Sequence, residues 1–447
     1  MSTINAANLE LQLVQKISSI TTELELLALS VALRQLQNGA VFVVQNFADL
    51  PSASTSVGEL YYVITDSRLY TSYSGLDWQL LATDTAGVLY SWGSNTNGQL
   101  GSGTIIARSS PGIQSGLAIW CQASAGHTQA AAVKTDGTLW TWGCNTSGQL
   151  GTGNVTARCS PGTTVGCGTT WCQVSAGCTH TAGVKTDGTL WTWGSNTCGR
   201  LGDGTVTARS SPGTTAGGGN TWCQISVAKD HNVAVKTDCT LWTWGLNSTC
   251  QLGDGTVTPR SSPGTTVGGG GTWCCASTNN LHTAAVKTDG TVWSWGLNSS
   301  GQLGDLTVTN KSSPVQTSTG DTTWCKISAG FAHTMATKTD GTLWTWGSNS
   351  TGQLGTGTVT SRSSPGQVTG TNSLWCQISA GCAHNTGVKT DGSLWTWGCN
   401  SYGQLGDGSI IAKSSPITPT GGICGWCQAA AGAGGFVFTL GIRQITF

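Results

Sequence analysis

The stretch VKTDGTLWTWGSN, residues 184–196, decides the fold, because it returns almost unchanged along the chain. Four later copies begin at Val235, Val286, Thr337 and Val388. The Asp187-Gly188 pair lies between two β-prone runs, which is a strong signal for a β-hairpin. After this turn Trp191 and Trp193 point to one side of the strand and Leu190 to the other, because side chains alternate along a strand. The stretch therefore predicts a hairpin within a sheet that is packed on both faces.

Two sequence markers give the length of the repeat. The Trp-x-Trp-Gly marker ends at glycines 51 residues apart, namely Gly143, Gly194, Gly245, Gly296, Gly347 and Gly398, and a Tyr-Ser-Trp-Gly variant ends at Gly93. A Trp-Cys marker starts at seven positions 51 residues apart, namely Trp120, Trp171, Trp222, Trp273, Trp324, Trp375 and Trp426. A fixed period of this size is typical of solenoids, arrays and propellers. One unit cannot cover its tryptophan-rich face alone and a ring leaves no unprotected ends, so residues 86–447 are predicted to form an all-β, seven-bladed β-propeller.

The complete unit resembles a known repeat. Residues 175–204 read SAGCTHTAGVKTDGTLWTWGSNTCGRLGDG. This is similar to the repeat of the regulator of chromosome condensation (RCC) family, which has Ala-Gly-x-x-His, then Asp-Gly, then Trp-Gly-x-Asn-x-x-Gly-Gln-Leu-Gly. The resemblance extends over roughly residues 86–441 and implies the propeller fold. It leaves the function open, because the fold carries exchange factors, enzyme inhibitors and adhesive modules.

Residues 1–39 are predicted to form a helical segment for oligomerisation or anchoring. Apolar residues recur in alternating steps of four and three, which is the seam of a coiled coil. The seam residues are Leu13, Ile17, Ile20, Leu24, Leu27 and Val31. A mixture of Leu and Ile at both seam positions is compatible with three strands, so we expect a homotrimer. The alternative is an ordinary helix that packs beneath the propeller.

Residues 40–85 are predicted to form a small β-hairpin connector. The pattern LP…VGELYYV…RLY…SGLDW, which starts at Leu50, resembles short hairpin modules in virion and tail-fibre proteins of bacteriophages. A helical segment, a β connector and a terminal β-rich head follow one another in such fibres and adhesins. The resemblance therefore implies an anchor at the N terminus and a display domain at the C terminus.

Composition and charge argue against several classes of protein. Only 9% of the residues are charged, against about 25% in ordinary globular proteins. The 20 basic and 20 acidic residues cancel, whereas nucleic acid calls for a basic excess. No secretory signal opens the chain, and no apolar run reaches the ~18 residues that span a bilayer. We therefore expect synthesis in a cytoplasm, no nucleic-acid partner and no membrane insertion.

Histidines and cysteines recur in register and raise the question of a metal or disulfide framework. The histidines are His180, His231, His282, His333 and His384. The cysteines are Cys121, Cys172, Cys223, Cys274, Cys325, Cys376 and Cys427. Equivalent positions of packed sheets lie about 10 Å apart, too far for one metal ion or a disulfide. No catalytic set or cofactor motif is visible, so we expect no enzyme activity, no metal and no cofactor.

One hairpin turn departs from the repeat. Cys239 follows Asp238 where the other copies have glycine. A positive φ costs a residue other than glycine roughly 1–2 kcal/mol. The sequence therefore predicts either local strain or a different turn at this position.

A basic residue recurs in the segment after Gly-Gln-Leu-Gly of every unit. These residues, which we call the basic ring, are Arg108, Arg158, Arg209, Arg260, Lys311, Arg362 and Lys413. One interpretation is contact with an anionic surface, such as an acidic polysaccharide or an acidic virion neighbour. The other is local pairing, for example of Arg209 with Asp203 or of Arg260 with Asp254. The sequence leaves both open and favours local pairing.

The order of segments favours a bacteriophage virion structural protein, a fibre or a capsid- or tail-associated adhesin. Its expected partners are other copies of itself, other virion proteins and a host cell-surface polysaccharide, and its expected location is the virion. The alternative is a stand-alone interaction, carbohydrate-binding or regulatory propeller, similar to an exchange factor or an inhibitor. A regulator is expected to work as a monomer with one specialised face.

Overall fold

The computed structural model describes residues 87–444, apart from short gaps, together with four strands nearer the N terminus. The gaps are residues 115–118, 167, 218, 269–271, 369–373, 422–423 and 436. The predicted helix, with its seam from Leu13 to Val31, lies outside the described residues, so the coiled coil and the trimer stay predictions. No helix in the described part of the chain is long and apolar enough to cross a membrane.

Four short strands form a sheet within the predicted connector. They are β1 (Val41–Val44), β2 (Leu60–Val63), β3 (Arg68–Thr71) and β4 (Gln79–Leu80). β1 pairs in parallel with β2, whereas β2, β3 and β4 pair antiparallel in chain order. Strands therefore occur where the sequence of residues 40–85 predicts a β-rich segment.

The propeller contains 28 strands. In chain order they are β5 (Val88–Gly93), β6 (Arg108–Ile113), β7 (Trp120–Ala125), β8 (Gln129–Lys134), β9 (Leu139–Gly143), β10 (Arg158–Thr163), β11 (Trp171–Ala176), β12 (His180–Lys185), β13 (Leu190–Gly194), β14 (Arg209–Thr214), β15 (Trp222–Val227), β16 (His231–Lys236), β17 (Leu241–Gly245), β18 (Arg260–Thr265), β19 (Trp273–Thr278), β20 (His282–Lys287), β21 (Val292–Gly296), β22 (Lys311–Gln316), β23 (Trp324–Ala329), β24 (His333–Lys338), β25 (Leu343–Gly347), β26 (Arg362–Gln367), β27 (Trp375–Ala380), β28 (His384–Lys389), β29 (Leu394–Gly398), β30 (Lys413–Ile417), β31 (Trp426–Ala431) and β32 (Phe438–Arg443). A short 3-10 helix, Thr197–Gly199, follows β13.

Each blade is a four-stranded antiparallel sheet. Six blades use consecutive strands, from β7–β10 to β27–β30, and the seventh combines β31 and β32 with β5 and β6. In this last blade β32 pairs with β5 from Arg443 opposite Val88 to Phe438 opposite Gly93. The predicted seven-bladed propeller is confirmed, and strands from both ends of the propeller sequence close its ring.

The connections between strands divide between two faces of the propeller. The Trp-Cys strands, such as β7 and β11, are innermost, because they contact one another around the axis. Since neighbouring strands in a blade are antiparallel, the first-to-second and third-to-fourth connections lie on the same face, which we call the loop face. The second-to-third turns lie on the opposite face, which we call the turn face. The chain enters the propeller on the turn face, where Gly87 hydrogen-bonds to Trp120.

The two tryptophans of the repeat pack against the preceding blade. Trp193 is fully buried, and its Nε1 donates to the carbonyl oxygen of Gln149 in that blade at 2.9 Å. On the other side of the same strand, Leu190 packs with Trp222 and Trp244 of the next blade. Full burial of one large apolar side chain stabilises a protein by about 1.5–3 kcal/mol. The interfaces between blades therefore hold the apolar core.

Side chains of the innermost strands also join neighbouring blades. The amide of Gln122 accepts from the backbone N–H of Val174 and donates to its carbonyl oxygen, both at 2.9 Å. Two residues further, Oγ of Ser124 accepts from the N–H of Ala176 at 2.9 Å. Glutamine and serine thus provide hydrogen bonds where two inner strands do not pair directly. Between these strands, a cavity of about 200 Å³ lies on the axis.

Cys239 keeps the hairpin turn of the other blades at a positive φ of 63°. Its N–H donates to the carbonyl oxygen of Lys236 at 2.9 Å, as the glycines of the other turns do. At the equivalent Gly188, a Cβ would lie only 2.1 Å from the carbonyl oxygen of Asn220, so a side chain there must displace its neighbour. The structure shows the first expected outcome, which is strain in an unchanged turn.

The substitution Cys239→Gly is expected to raise the free energy of unfolding by about 1–2 kcal/mol, because glycine adopts positive φ without steric cost. Urea denaturation followed by tryptophan fluorescence measures the change. The matched control is Gly188→Cys, which should destabilise by at least the same amount. Equal stability of Cys239→Gly and the wild type would show that the turn is not strained.

Candidate functional site

The recurrent histidines are fully buried, and each contacts the next blade. Nε2 of His180 donates to Oδ1 of Asn232 at 2.8 Å, and Nε2 of His333 donates to Oδ1 of Asn385. The other three contact threonine hydroxyls at 3.0 Å, and they are His231, His282 and His384. Burial lowers the pKa of His333 to about 4 and that of the other four to about 3. These neutral histidines join blades, and nowhere in the described residues do three His, Cys, Asp or Glu side chains converge as metal ligands.

The repeat cysteines make local contacts. Sγ of Cys172 lies 3.3 Å from the carbonyl oxygen of Val184, on the neighbouring strand of its own blade. The equivalent contact recurs in other blades, for example from Cys376 to Val388. None of the 17 cysteines that the structure describes forms a disulfide. This position therefore belongs to the framework of each blade.

The asparagine after Trp-x-Trp-Gly holds the third-to-fourth connection in a fixed shape. Oδ1 of Asn196 accepts from the N–H of Leu201 at 2.8 Å, and its Nδ2 donates to the carbonyl oxygens of Thr205 and Thr207. Asn196 itself is buried. Because both flanking carbonyls turn inward, Val206 between them is left outside, with 69% of its surface exposed. In each connection the buried asparagine side chain thus fixes the backbone so that one side chain, equivalent to Val206, points to the outside.

The presented side chain is aliphatic in every blade. We call these seven residues the aliphatic ring, and they are Ile105, Val155, Val206, Val257, Val308, Val359 and Ile410. They are between 60% and 69% exposed, and each lies three residues before a member of the basic ring. Sequence analysis missed them, because a Val in a strand-rich repeat is ordinarily read as core. The signal that could have found them is their place between polar neighbours in a connection instead of a strand.

Four members of the basic ring pair with a carboxylate of their own connection. The nitrogen–oxygen distances are 3.0 Å for Arg209–Asp203, 2.8 Å for Arg260–Asp254, 3.3 Å for Lys311–Asp305 and 3.4 Å for Lys413–Asp407. Partial burial acts to raise the pKa of Asp203, but hydrogen bonds from Thr205 and Asn196, together with the charge of Arg209, hold this pKa below its usual value. The local pairing that the sequence favoured thus occurs at both positions that it named.

The arginines of the basic ring also pack on their own outer strand. The guanidinium of Arg209 lies over Gly213, where a Cβ would come within 1.8 Å of Nη1. All five arginines of the ring have this glycine four residues later. The two lysines have Val315 and Ile417 there instead. Arginine in the basic ring therefore occurs with glycine four residues later, and lysine with a larger aliphatic residue there. Close packing explains this, because only glycine leaves room for the guanidinium.

Five cations of the propeller have neither a carboxylate nor an aromatic partner among the described residues. They are Arg108, Arg158, Lys229, Lys326 and Arg362. Ser102, Thr152 and Thr356 stand where the paired arginines have their aspartate. Four of the five belong to the loop face, which carries nine cations and five carboxylates in total, whereas Lys326 lies on the innermost strand β23 and donates to the carbonyl oxygen of Cys376. The loop face is therefore the positively charged side of the propeller.

The units differ most where their first-to-second connections meet around the axis on the loop face. We call this place the mouth of the axial channel. The residue after Ala-Gly or its equivalent is His127, Cys178, Lys229, Asn280, Phe331, Cys382 or Ala433 in successive blades. Six of these seven line a small cavity of about 80 Å³ at the mouth, all but Cys382. Phe331 is 43% exposed there, and Nε2 of His127 accepts from the N–H of Gly435 at 3.0 Å. The repeat is therefore most asymmetric at this mouth.

The ion pair between Arg200 and Asp230 supports this mouth. Arg200 replaces the glutamine of Gly-Gln-Leu-Gly, and its Nη2 lies 2.8 Å from Oδ1 of Asp230. The guanidinium also donates to Oγ1 of Thr179 at 2.8 Å and to the carbonyl oxygen of Thr197 at 2.9 Å. The side chain of Arg200 is only 8% exposed. The pair therefore fixes the backbone next to Lys229.

The substitution Asp230→Ala is expected to destabilise the propeller by about 3 kcal/mol, because it leaves the buried Arg200 without its counter-charge. The double variant Arg200→Gln, Asp230→Thr restores residues that other blades have at these positions, Gln149 and Thr179 among them. It should regain all but about 1 kcal/mol of the lost stability. Chemical denaturation of the three proteins measures both effects, and equal stability of the two variants would contradict the account.

The turn face is built differently and carries no net charge. Nζ of Lys185 lies 4.3 Å from the ring centroid of Trp191 and 5.1 Å from that of Trp171. Oδ1 of Asp187 accepts from the N–H and hydroxyl of Thr189, which holds the pKa of this carboxyl below its usual value. The seven cations and seven carboxylates of the turn face balance. Cations there stack on aromatic rings, whereas four of the five cations without such a partner lie on the loop face.

Comparison with known proteins identifies the repeat. The family model for the RCC1-like domain matches residues 88–439, which is most of the chain. The chain belongs to the RCC1-like domain family. The family match covers the seven blades from the second residue of the described propeller to the second residue of its last strand, β32. The predicted RCC-type repeat is thereby confirmed.

Individual curated relatives share part of the sequence. The ultraviolet-B receptor UVR8 of Arabidopsis thaliana is 32% identical over 250 residues, which are 55% of this chain and 57% of UVR8. An RCC2 homologue of Danio rerio is 33% identical over 141 residues, 30% of this chain and 28% of that protein. The chain thus spans about half or less of the curated relatives that it matches.

Solved structures agree with the fold. Human WBSCR16 superimposes with a TM-score of 0.72 at 19% identity, over 81% of this chain and 100% of that one. Yeast RCC1 (Prp20), crystallised with Kap60, superimposes with a TM-score of 0.71 at 19% identity, over 80% of this chain and 89% of that one. At this identity the likeness concerns the fold alone. These relatives lend no support to a bacteriophage origin of residues 1–85 and favour the alternative, an interaction or regulatory propeller.

Proposed function

We propose that this protein is a non-enzymatic interaction propeller that binds an anionic partner through its loop face. The observation that carries the proposal is that four cations of the loop face, Arg108, Arg158, Lys229 and Arg362, have no carboxylate or aromatic partner among the described residues. An unpaired cation gains from an anionic partner without giving up an existing ion pair. Membership of a family that contains regulators and binding modules supports the same role.

The zero net charge of the whole chain does not argue against such a partner. Residues 1–86 contain three basic and eight acidic residues, whereas residues 87–447 contain 17 basic and 12 acidic residues. The propeller is therefore basic, and its excess lies mainly on the loop face. Electrostatic attraction acts over about 10 Å in physiological salt, so the local charge of a face determines which partners it attracts.

The mouth of the axial channel supplies the specificity that a symmetric ring lacks. Lys229, Asn280 and Phe331 place a cation, an amide and an aromatic ring around one small cavity. Exposed side chains of these types are typical of binding sites. The partner is therefore expected to contact the mouth as well as the rim of the loop face. This arrangement favours the interaction role over the virion role, which has no such requirement for an asymmetric centre.

The proposal is tested by the binding of polyglutamate and dextran sulfate to the full chain at low and high salt. Substitution of the four unpaired cations of the loop face by glutamine is expected to weaken binding roughly tenfold or more, since each lost contact with an anion removes up to about 1 kcal/mol. The control removes the same charge from the turn face, by glutamine at Lys134, Lys185, Lys236 and Lys287. Equal losses from both faces would contradict a specialised loop face, as would the absence of salt-dependent binding.

A further inference from the structure

We infer that the anionic partner of the loop face is a lipid bilayer, onto which the propeller docks without crossing it. This inference rests on the proposed function and specifies its partner. It is carried by the aliphatic ring, which cations alone do not explain. A soluble polyanion is bound by charge and hydrogen bonds, whereas an anionic membrane surface offers charge together with an apolar interior within a few ångströms.

Every blade keeps an exposed aliphatic residue where burial does not require one. Val206 and Val257 are 69% and 60% exposed, as are their equivalents within a narrow range. Two positions later the equivalent residue is also outside the core, and there the chain has Ala208, Pro259 and Asn310 in successive blades. The repeat therefore tolerates change next to the aliphatic residue but keeps Val or Ile at the residue itself. An isolated exposed Val needs no explanation, whereas seven in register do.

The backbone on both sides of each aliphatic residue described here is fixed by hydrogen bonds. In the first blade, Nδ2 of Asn145 donates to the carbonyl oxygens of Asn154 and Thr156, at 3.1 and 2.9 Å, on either side of Val155. In the fifth blade, Asn349 donates to the carbonyl oxygens around Val359, at 3.0 Å in both cases. A connection fixed in this way loses little conformational entropy when it binds. The ring is therefore preorganised in the same manner around the axis.

The geometry of the ring suits a flat partner. Equivalent atoms of units related by rotation about one axis lie in a plane perpendicular to that axis. Seven aliphatic side chains can therefore reach a planar surface at the same time, whereas a globular partner would contact one sector. Additional exposed side chains next to the ring, Ile106, Leu306 and Ile411, increase the apolar surface on the same connections.

Charge and chain direction agree with this orientation. Arg108, Arg158 and Arg362 follow the ring members of their blades by three residues, so unpaired cations lie beside the apolar side chains. Anionic headgroups attract such cations and draw the face to the surface. The chain enters the propeller at Gly87 on the opposite face. Gly87, which follows the acidic segment 1–86 in the sequence, therefore lies on the side that faces away from the lipid.

The test is co-sedimentation of the full chain with phosphatidylcholine vesicles and with vesicles that also contain phosphatidylserine. The wild type is expected to bind only the anionic vesicles. The variant Val155→Ser, Val206→Ser, Val257→Ser, Val359→Ser keeps every charge and should bind them at least about tenfold more weakly, because four apolar contacts are lost. A melting curve of each protein confirms that it is folded.

The control replaces exposed apolar residues near the turn face, Ile113→Ser and Leu374→Ser, which are 46% and 56% exposed in the wild type. This variant should bind anionic vesicles like the wild type. If the four-serine variant binds as tightly as the wild type, the aliphatic ring does not contact lipid and the inference is overturned. If polyglutamate or dextran sulfate is bound but vesicles are not, the partner is a soluble polyanion, so the proposed function stands while this inference fails. If none of the three probes binds, both fail.

Discussion

Acidification is expected to unfold the propeller cooperatively between about pH 6 and pH 4. Burial lowers the pKa of the five recurrent histidines to about 3 or 4, from an unfolded value near 6.5. Below pH 6.5 the unfolded chain therefore binds more protons than the folded one, so stability falls as the pH falls towards the folded pKa. In this window each histidine lowers the free energy of unfolding by about 1.4 kcal/mol for each pH unit of acidification, so five histidines lower it by about 7 kcal/mol per pH unit. The usual free energy of unfolding is about 5–15 kcal/mol, so acidification by about two pH units is sufficient to unfold the propeller.

A glutamine variant separates this effect from general acid denaturation. The first blade already has Gln129 at the histidine position, where its Nε2 donates to the carbonyl oxygen of Gly177 at 2.9 Å. Replacement of all five histidines by glutamine should move the acid midpoint down by at least about one pH unit. Tryptophan fluorescence against pH measures both midpoints. An unchanged midpoint in a variant that is folded at neutral pH would contradict the role of the histidines.

Removal of the two C-terminal strands is expected to abolish the folded ring. Deletion of residues 420–447 removes Trp426, Phe438, Leu440 and Ile442, all of which are at most 3% exposed. Their burial is worth about 6–12 kcal/mol together, which is comparable to the whole net stability. The deletion also leaves β5 and β6 without the strands that complete their sheet. The expected result is loss of cooperative thermal unfolding and binding of a dye for exposed apolar surface.

A circular permutant is the matched control for the deletion. It joins Gln444 to Gly87 through a short Gly-Ser linker, lacks residues 1–86 and has its new ends within residues 115–118. Arg443 lies opposite Val88, so the linker has only a short distance to span. This protein contains all 28 propeller strands, now in contiguous blades, and should unfold cooperatively like the wild type. If the deletion variant also unfolds in this way, closure by β31 and β32 is not required for the fold.

The fold could be predicted from the sequence because its determinants are local and are repeated. The Asp-Gly turn at Asp187 and the alternation around Trp191 and Trp193 each specify a hairpin. The 51-residue period then specifies how many units pack around the axis. The closure by β31 and β32 is less visible, because β32, from Phe438 to Arg443, lacks the Trp-x-Trp-Gly continuation of the other units. The predicted coiled coil and trimer concern residues outside the described part of the chain.

The candidate site could be predicted only in part, because exposure depends on side chains from different blades. The pairing of Arg209 with Asp203 is local, and the sequence favoured it correctly. The convergence of His127, Lys229 and Phe331 at one mouth requires blades that are distant in sequence. The net charge of the whole chain is zero, because the acidic excess of residues 1–86 cancels the basic excess of the propeller. A count for each predicted domain would have recovered this difference.

The most direct test of the account is hydrogen–deuterium exchange of the full chain, measured by mass spectrometry with and without an anionic partner such as phosphatidylserine vesicles or dextran sulfate. The account predicts slower exchange in the third-to-fourth connections of several blades, for example residues 203–208 and 356–361, and at the mouth around Lys229. It predicts unchanged exchange in the turns of the opposite face, such as residues 186–189. Protection of those turns, with the connections of the loop face unaffected, would contradict the claim that the loop face is the working surface.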